Sequence, residues 1–303
     1  MTILKVQGPI RGTATGSATS ISVTMNSTPI NGNVLIAVIG TGKIGGPYIT
    51  VTSIIENGVS WNKQVQKSYV WHENTEDWED VEIWLGIVDS GASTSIVIQL
   101  SSSISGMGAI AYIGEYTGID TSDPLDKTAS DTGYTPFNGD PGQTRTGVTS
   151  VTSKADELWI GGIACGCMSI YYNQTDPTNG FSLTTSNYYT ESVAYLEKIV
   201  SATGQAYTKT TISYADWVGC IATFKGKLSV SLNETLSVQD LLTRQVNFRR
   251  LFEETLSLID SVMKEKRYIY VRKVVSILWK KFGVTIPELG KKKVSIKYRT
   301  TTS

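Results

Sequence analysis

Up to residue 226 most of this chain alternates apolar and polar positions, and three stretches break the alternation. Residues 33–40 read Asn-Val-Leu-Ile-Ala-Val-Ile-Gly, an apolar run set between Asn31-Gly32 and Thr41-Gly42. Residues 156–165, Asp-Glu-Leu-Trp-Ile-Gly-Gly-Ile-Ala-Cys, have nearly the same form, and residues 216–224 end in Trp-Val-Gly-Cys-Ile-Ala-Thr-Phe. A short apolar run rich in β-branched residues and bounded by turn residues reads as a strand covered on both faces. These three are expected to be central strands of one β-sandwich.

The other strands follow from alternation. Ile21, Val23 and Met25 alternate with Ser22 and Thr24, and Ile96, Ile98 and Leu100 share one face. Strands are expected at 4–6, 17–25, 48–55, 59–69, 81–88, 93–100, 106–116, 148–152, 158–163, 181–184, 193–200 and 217–224. Asn57-Gly58 is a hairpin turn between two of them. Residues 40–47 are glycine-rich but lack a Lys-Ser/Thr pair in phosphate-loop register, so they read as a connection. Residues 118–147 are polar and full of Asp, Gly and Pro. A loop of that length is usually functional or an oligomer contact. Strands about every ten residues with turn signals between them predict an all-β fold, an antiparallel β-sandwich or jelly roll over residues 1–226.

From residue 227 the texture changes. Glu234-Thr-Leu-Ser-Val-Gln-Asp240 returns twenty positions later as Glu254-Thr-Leu-Ser-Leu-Ile-Asp260, and Phe248-Arg-Arg-Leu251 is echoed by Tyr268-Ile-Tyr-Val271. Two periods compete here. Leu236 and Val238 alternate with polar residues as in a strand, whereas Leu251, Phe252, Leu256, Ile259 and Met263 fall at helical spacing. The Ser/Thr alternation favours strands. A repeat this short cannot bury its own apolar face, so it must stack on neighbours or on other chains. Residues 227–303 therefore form a smaller, repeat-containing assembly region. Its expected contacts are Leu236, Val238, Phe248, Leu251, Leu256, Leu258, Tyr268, Tyr270 and the cations Lys291, Lys292 and Lys293.

Charge sharpens this division. Formal net charge is zero, but residues 1–226 hold 11 Lys/Arg against 20 Asp/Glu, and residues 227–303 hold 16 against 7. Parts of opposite sign favour attraction between copies, although each sign also keeps its own part soluble. The opening Met-Thr-Ile-Leu-Lys, followed by Gly, Pro and Arg, is not a secretion signal. No apolar run reaches membrane-spanning length. A composition rich in Thr, Ser, Gly and Tyr with no such signal fits a virion component or another extracellular assembly.

Several motifs carry a resemblance. Gly32-Asn-Val-Leu-Ile-Ala-Val38, Gly58-Val-Ser-Trp61, Val81-Glu-Ile-Trp84, Glu115-Tyr-Thr-Gly-Ile-Asp120, Pro124-Leu-Asp126, Asp156-Glu-Leu158 and the closing 217–225 follow one another in that order. Together they resemble the jelly-roll-like β-sandwich module of bacterial, archaeal and phage surface and virion proteins, over about residues 10–226. The Glu-Thr-Leu-Ser array resembles repeats of phage and archaeal surface proteins. The resemblance implies an adhesion or scaffold part, with no shared catalytic residues. The expected function is a non-enzymatic, self-associating subunit of a virion tail, fibre or filament. The alternative is a carbohydrate-binding adhesion module.

Candidate chemistry is sparse. Residues 71–82 hold the densest run of acids, which reads as a solvated hairpin tip and matches no EF-hand spacing. Glu82, Glu115 and Glu197 fall on expected strands and are the candidates for glycosidase-type pairing, which needs two carboxyls roughly 5–10 Å apart in a cleft. With His72 the only histidine, neither a Ser/His/Asp site nor a zinc site is supported, and no cofactor is expected. Cys165 or Cys167 could bond Cys220, although buried thiols acting as small hydrophobes are the simpler reading. Trp71, Trp78, Tyr171, Tyr172, Tyr188 and Tyr189 fall in expected loops, where aromatics suit a subunit interface or a host-surface glycan. The lysines and arginines after residue 263 come with no nucleic-acid reader fold. The expected partners are copies of this chain, other virion proteins or a glycan, and neither nucleic acid nor a membrane span.

Overall fold

A computed structural model describes residues 2–70, 77–104, 106–136, 142–167 (Cys167 by its backbone alone), 173–213 and 215–227. The expected assembly residues, from Leu236 to Lys293, lie outside the described residues. So do Trp71, Tyr171 and Tyr172. The first compact unit of the chain is Met1–Val230.

In chain order the strands are β1 (Leu4–Thr15), β2 (Ser20–Thr24), β3 (Val34–Lys43), β4 (Val51–Ile55), β5 (Val59–Val70), β6 (Trp78–Val88), β7 (Ser95–Leu100) and β8 (Gly108–Thr117). Then come β9 (Leu125–Thr135), β10 (Gly142–Arg145), β11 (Asp156–Cys167), β12 (Ser182–Tyr188), β13 (Glu191–Ser201), β14 (Lys209–Ile212) and β15 (Ala215–Lys225). Every pairing among them is antiparallel. The fold is all-β, and the described residues contain no helix.

Two five-stranded sheets form the middle, in the orders β1-β8-β3-β6-β5 and β12-β13-β11-β15-β9. The apolar runs noticed first thus sit where expected: β3 and β11 are the middle strands, and β15 lies beside β11. Each middle sheet also carries a cover. The β2-β7-β4 sheet lies on the outer face of the first, and the β10-β14 pair with its flanking loops lies on the outer face of the second.

Side-chain alternation divides each central strand between two cores. Val34, Ile36 and Val38 of β3 meet Leu158, Ile160 and Val218 between the middle sheets. Leu35, Ala37 and Ile39 pack instead against Ile21, Ile96 and Ile98 of the cover. On β11, Leu158 and Ile160 face the centre while Trp159 and Ile163 face Trp217 and Ile212 on the far side. Antiparallel strands usually show one wet face. Here both faces are dry, which is why these strands read as continuous apolar runs.

Glycines set how closely the layers approach. A Cβ on Gly40 would stand 2.3 Å from Val193 Cγ2 and 3.0 Å from Ala164 Cβ. A Cβ on Gly219 would stand 2.0 Å from the Arg145 carbonyl, so the β10 cover rests directly on β15. A polar link also crosses the centre: the Tyr116 and Tyr195 hydroxyls are 2.8 Å apart, and Tyr116 donates to Glu197, which pairs with Lys5. Burial pushes both phenols well above their ordinary range, so they remain donors at neutral pH.

Several expectations need correction. Residues 118–147 are not one loop, for they contain β9 and β10. β9 is an edge strand of half-buried Thr, Ser and Asp, with too weak an alternation to show. Residues 148–152 are not a strand. The amides of Thr146, Thr149 and Thr152 donate to the carbonyls of Thr208, Ala206 and Gly204, and a single bridge joins Val151 to Gln205. Cys165 and Cys220 are buried on opposite faces of one sheet and so are not bonded to each other.

Gly40→Ala should push the middle sheets apart and cost about 1–3 kcal/mol. That corresponds to a fall of about 3–9 °C in the thermal midpoint. Calorimetry of this variant with the exposed Ser22→Ala as reference tests it, and an unchanged midpoint would show that the sheets are not held this closely.

Candidate functional site

The strand ends gather into two poles. At one, Lys43 of β3 pairs with Trp78 of β6, Gly166 of β11 with Glu191 and Asp216, and Ala215 of β15 with Thr135 of β9. The two middle sheets meet there, because a Cβ on Gly42 would stand 2.5 Å from Glu191 Oε2 and one on Gly108 2.4 Å from the Tyr188 carbonyl. At the opposite pole Ile119 bridges Gly226, the Gly226 amide donates to Asp156 at 2.8 Å, and the Lys227 amide donates to Gly118 at 2.7 Å. Lys227, the last described residue, lies at this second pole.

Of the three exposed aromatics among the described residues, Tyr48 and Tyr189 lie at the first pole, while Tyr207 lies beside β14 on the cover of the second sheet. Tyr48 is 40% exposed, with its ring 5.4 Å from Trp78 and tilted by 53°. Tyr189 is 53% exposed and stands edge-on to Tyr188 at 5.2 Å. Of the aromatics singled out in the sequence, Trp78, Tyr188 and Tyr189 are therefore placed on this pole. Trp78 and Tyr188 belong to strand ends, not loops. Tyr48 was missed, since one tyrosine after Gly-Gly-Pro carries no signal of its own.

The acidic run is not a solvated tip where it is described. Asp77, Glu79, Asp80 and Glu82 are all buried. β6 is a central strand under a cover, so its polar residues are enclosed along with its apolar ones. Asp80 Oδ1 accepts from Gln66 Nε2 at 2.8 Å and from Ser68 Oγ at 2.5 Å. Glu82 accepts from the Val51 amide at 2.8 Å and from Trp84 Nε1 at 2.6 Å, and pairs with Lys63 at 2.9 Å. Burial, and then the Glu82 charge, push the Asp80 carboxyl upward.

The three glycosidase candidates do not converge. Glu115 accepts from Gln7 Nε2, the Ile30 amide and Asn33 Nδ2 at 2.6–2.8 Å, which ties the 27–33 loop to β8. Glu82 and Glu115 lie on the covered outer face of their sheet, whereas Glu197 lies between the middle sheets. All three are already committed to structural partners. Among the described residues no group of three or more His, Cys, Asp or Glu is placed to hold a metal ion, and no helix is long and apolar enough to cross a membrane.

One carboxyl pair sits near the second pole. Asp126 accepts from the Ser153 amide at 2.5 Å and from Ser153 Oγ at 2.7 Å, and pairs with Lys127 at 3.1 Å. Glu157 is fully buried beside it and accepts from Trp159 Nε1 at 3.1 Å. Burial, reinforced by its hydrogen bond to Asp126, pushes Glu157 up to about 7. Burial alone would raise Asp126 too, but the Ser153 hydrogen bonds outweigh it and hold Asp126 below the usual carboxylate range. The pair thus holds one proton, on Glu157, below neutrality.

No protein-family model matches this sequence, no curated protein matches it, and no solved structure matches its fold.

Both Glu157 and Asp80 bind their protons more tightly folded than unfolded. Their stabilising contributions are complete below the ordinary carboxylate range and are lost as pH rises through the folded values. Asp126 acts in the opposite sense, and its contribution is lost only in strong acid. The thermal midpoint should therefore fall between pH 5 and pH 9. Glu157→Gln keeps a donor to Asp126 without titrating, so it should flatten the fall around pH 7 and exceed the parent chain at pH 8.5 by on the order of 2 kcal/mol. Identical pH profiles for the two proteins would exclude the shared proton.

Proposed function

We propose that this chain is a non-enzymatic structural subunit of a virion or extracellular filament. It is held in the assembly through residues 227–303 and meets its surroundings with the aromatic pole of its sandwich. The observation that supports this most is the polarity of the body. Gly226 and Lys227, the last described residues before the basic region, lie at one pole, and Tyr48 and Tyr189 are exposed at the other. A subunit that joins its neighbours by an extension keeps the far end of its body free for a partner.

Two features of the sequence add support. Residues 1–226 and 227–303 carry opposite net charge, with 11 Lys/Arg against 20 Asp/Glu in the first and 16 against 7 in the second. Such parts attract between copies. The repeat at 234–260 has apolar positions Leu236, Val238, Leu256 and Leu258, which a unit of that length cannot bury unaided. The non-enzymatic part of the reading draws on Glu82, Glu115 and Glu197, each engaged in holding a loop or strand and each cut off from the others. The adhesion reading is kept for the aromatic pole, where exposed Tyr48 and Tyr189 favour it.

Light scattering after size-exclusion chromatography tests the assembly role. The full chain should form oligomers or polymers that weaken at high salt. A chain ending at Lys227 should be a folded monomer, since it retains every described residue of the three cores. A monomeric full chain, or oligomers unchanged by the truncation, would overturn the proposal.

A further inference from the structure

Asn57 and Gly58 form a corner that is anchored on both sides. β4 belongs to the first cover and β5 is an edge of the middle sheet, so Asn57-Gly58 turns between two sheets and does not close a hairpin. Before the corner, the buried Glu56 carboxylate accepts from the Ser93 amide. After it, the Gly58 carbonyl accepts from the Asp89 amide at 2.7 Å. Gly58 has φ of 74°, and a Cβ there would stand 2.6 Å from the Ala92 amide nitrogen, so the corner requires glycine. Between the two anchors Asn57 is exposed.

An asparagine followed by glycine carries a chemistry of its own. The asparagine side-chain amide and the next backbone nitrogen are spaced to close a five-membered ring. Hydroxide removes the proton of the backbone amide, and the nitrogen attacks Cγ. A C–N bond forms, the Cγ–Nδ2 bond breaks, and ammonia leaves with a proton from water. Water then opens the cyclic imide at either carbonyl, which leaves aspartate or isoaspartate. Glycine permits the approach because it has no Cβ to obstruct it. The sequence of steps consumes only water. It requires that neither the side-chain amide nor the backbone N–H be committed to another partner.

The three described Asn-Gly pairs differ in this respect. In Asn31-Gly32 the Gly32 amide donates to the Val88 carbonyl at 2.9 Å. In Asn179-Gly180 the Asn179 side-chain amide donates to the Tyr207 carbonyl at 2.9 Å, and Lys198 Nζ donates to the Asn179 carbonyl at 2.7 Å. Asn26, followed by serine, is restrained in the same way, since the Ser27 amide donates to Gln7 Oε1 at 3.1 Å. Among the described residues neither the Asn57 side chain nor the Gly58 amide has a hydrogen-bond partner. We propose that Asn57 is a site of spontaneous modification, converted to aspartate and isoaspartate through a cyclic imide with Gly58, and that the fold protects Asn31 and Asn179 from the same reaction. Conversion sets a carboxylate beside Glu56. Isoaspartate also adds a backbone carbon between the two anchors of the corner.

The test holds the full-length chain in mildly alkaline buffer, digests samples over time under mildly acidic conditions, and follows the peptides by mass. The peptide spanning Asn57 should gain one mass unit and become a substrate for methyl transfer by an isoaspartyl methyltransferase. Asn57 should convert roughly two- to tenfold faster than Asn31 or Asn179, which must first break a hydrogen bond. In urea the three rates should converge, because the protecting bonds are gone. Asn57→Gln, which would need a slower six-membered ring, should leave the mass of that peptide unchanged. An unchanged Asn57 in the folded chain over the time in which the urea-treated chain converts would overturn the proposal. Equal rates at the three asparagines in the folded chain would overturn it as well. The readout is the same for a monomer and for an assembly, so neither result bears on the assembly role.

Discussion

Enclosure of both faces of the two middle sheets is the constraint from which the other features follow. A five-stranded antiparallel sheet with one apolar face needs one partner. β3, β6, β8 and β15 are buried on both faces, as is the middle strand β11, and each middle sheet must therefore find two partners. The partners are the other middle sheet on one side and a smaller cover on the other. The stack cannot close unless small residues lie where the layers touch. Gly40 and Gly162 serve between the middle sheets, and Gly219 under the β10 cover.

Enclosure on this scale also traps charge. Buried carboxylates are costly unless hydrogen-bonded, and here they are given work. Glu115 gathers a loop, Glu82 joins the β4 amide to Lys63 and Trp84, and Asp126 with Glu157 secures the turn at Ser153 near the second pole. Carboxylates used as internal ties explain why a body with an excess of acids need not have a strongly acidic surface. They also make the stability of the body depend on pH through groups that no solvent-borne ligand reaches.

The stack leaves the two poles free to differ. One holds Gly226 and Lys227, the last described residues. The other carries Tyr48 and Tyr189 in the open, one of them at the expense of an unfavourable backbone angle. A rigid layered body suits the carriage of such rings, because Trp78 and Tyr188, at strand ends fixed in register, stand against Tyr48 and Tyr189.

Much of the fold was legible in the sequence. The runs at 33–40, 156–165 and 216–224 announced strands dry on both sides, and the all-β class followed from their spacing. β9, β10 and β14 were not legible, because edge and cover strands of Thr, Ser and Asp are defined by the pairing they receive and not by a period of their own. The acidic run was misread for the opposite reason: the sequence shows charge, while burial depends on whether another layer arrives above it. The aromatic pole was legible only in part. Trp78, Tyr188 and Tyr189 stood out one by one, but local sequence cannot bring together residues as distant as 48 and 189. What the chain determined by itself was its strand content and its dry faces, since alternation is a local property of the backbone. Which faces met, which carboxyls shared a proton and which rings gathered at one end were decided by the stacking of sheets, where contacts join residues more than a hundred positions apart.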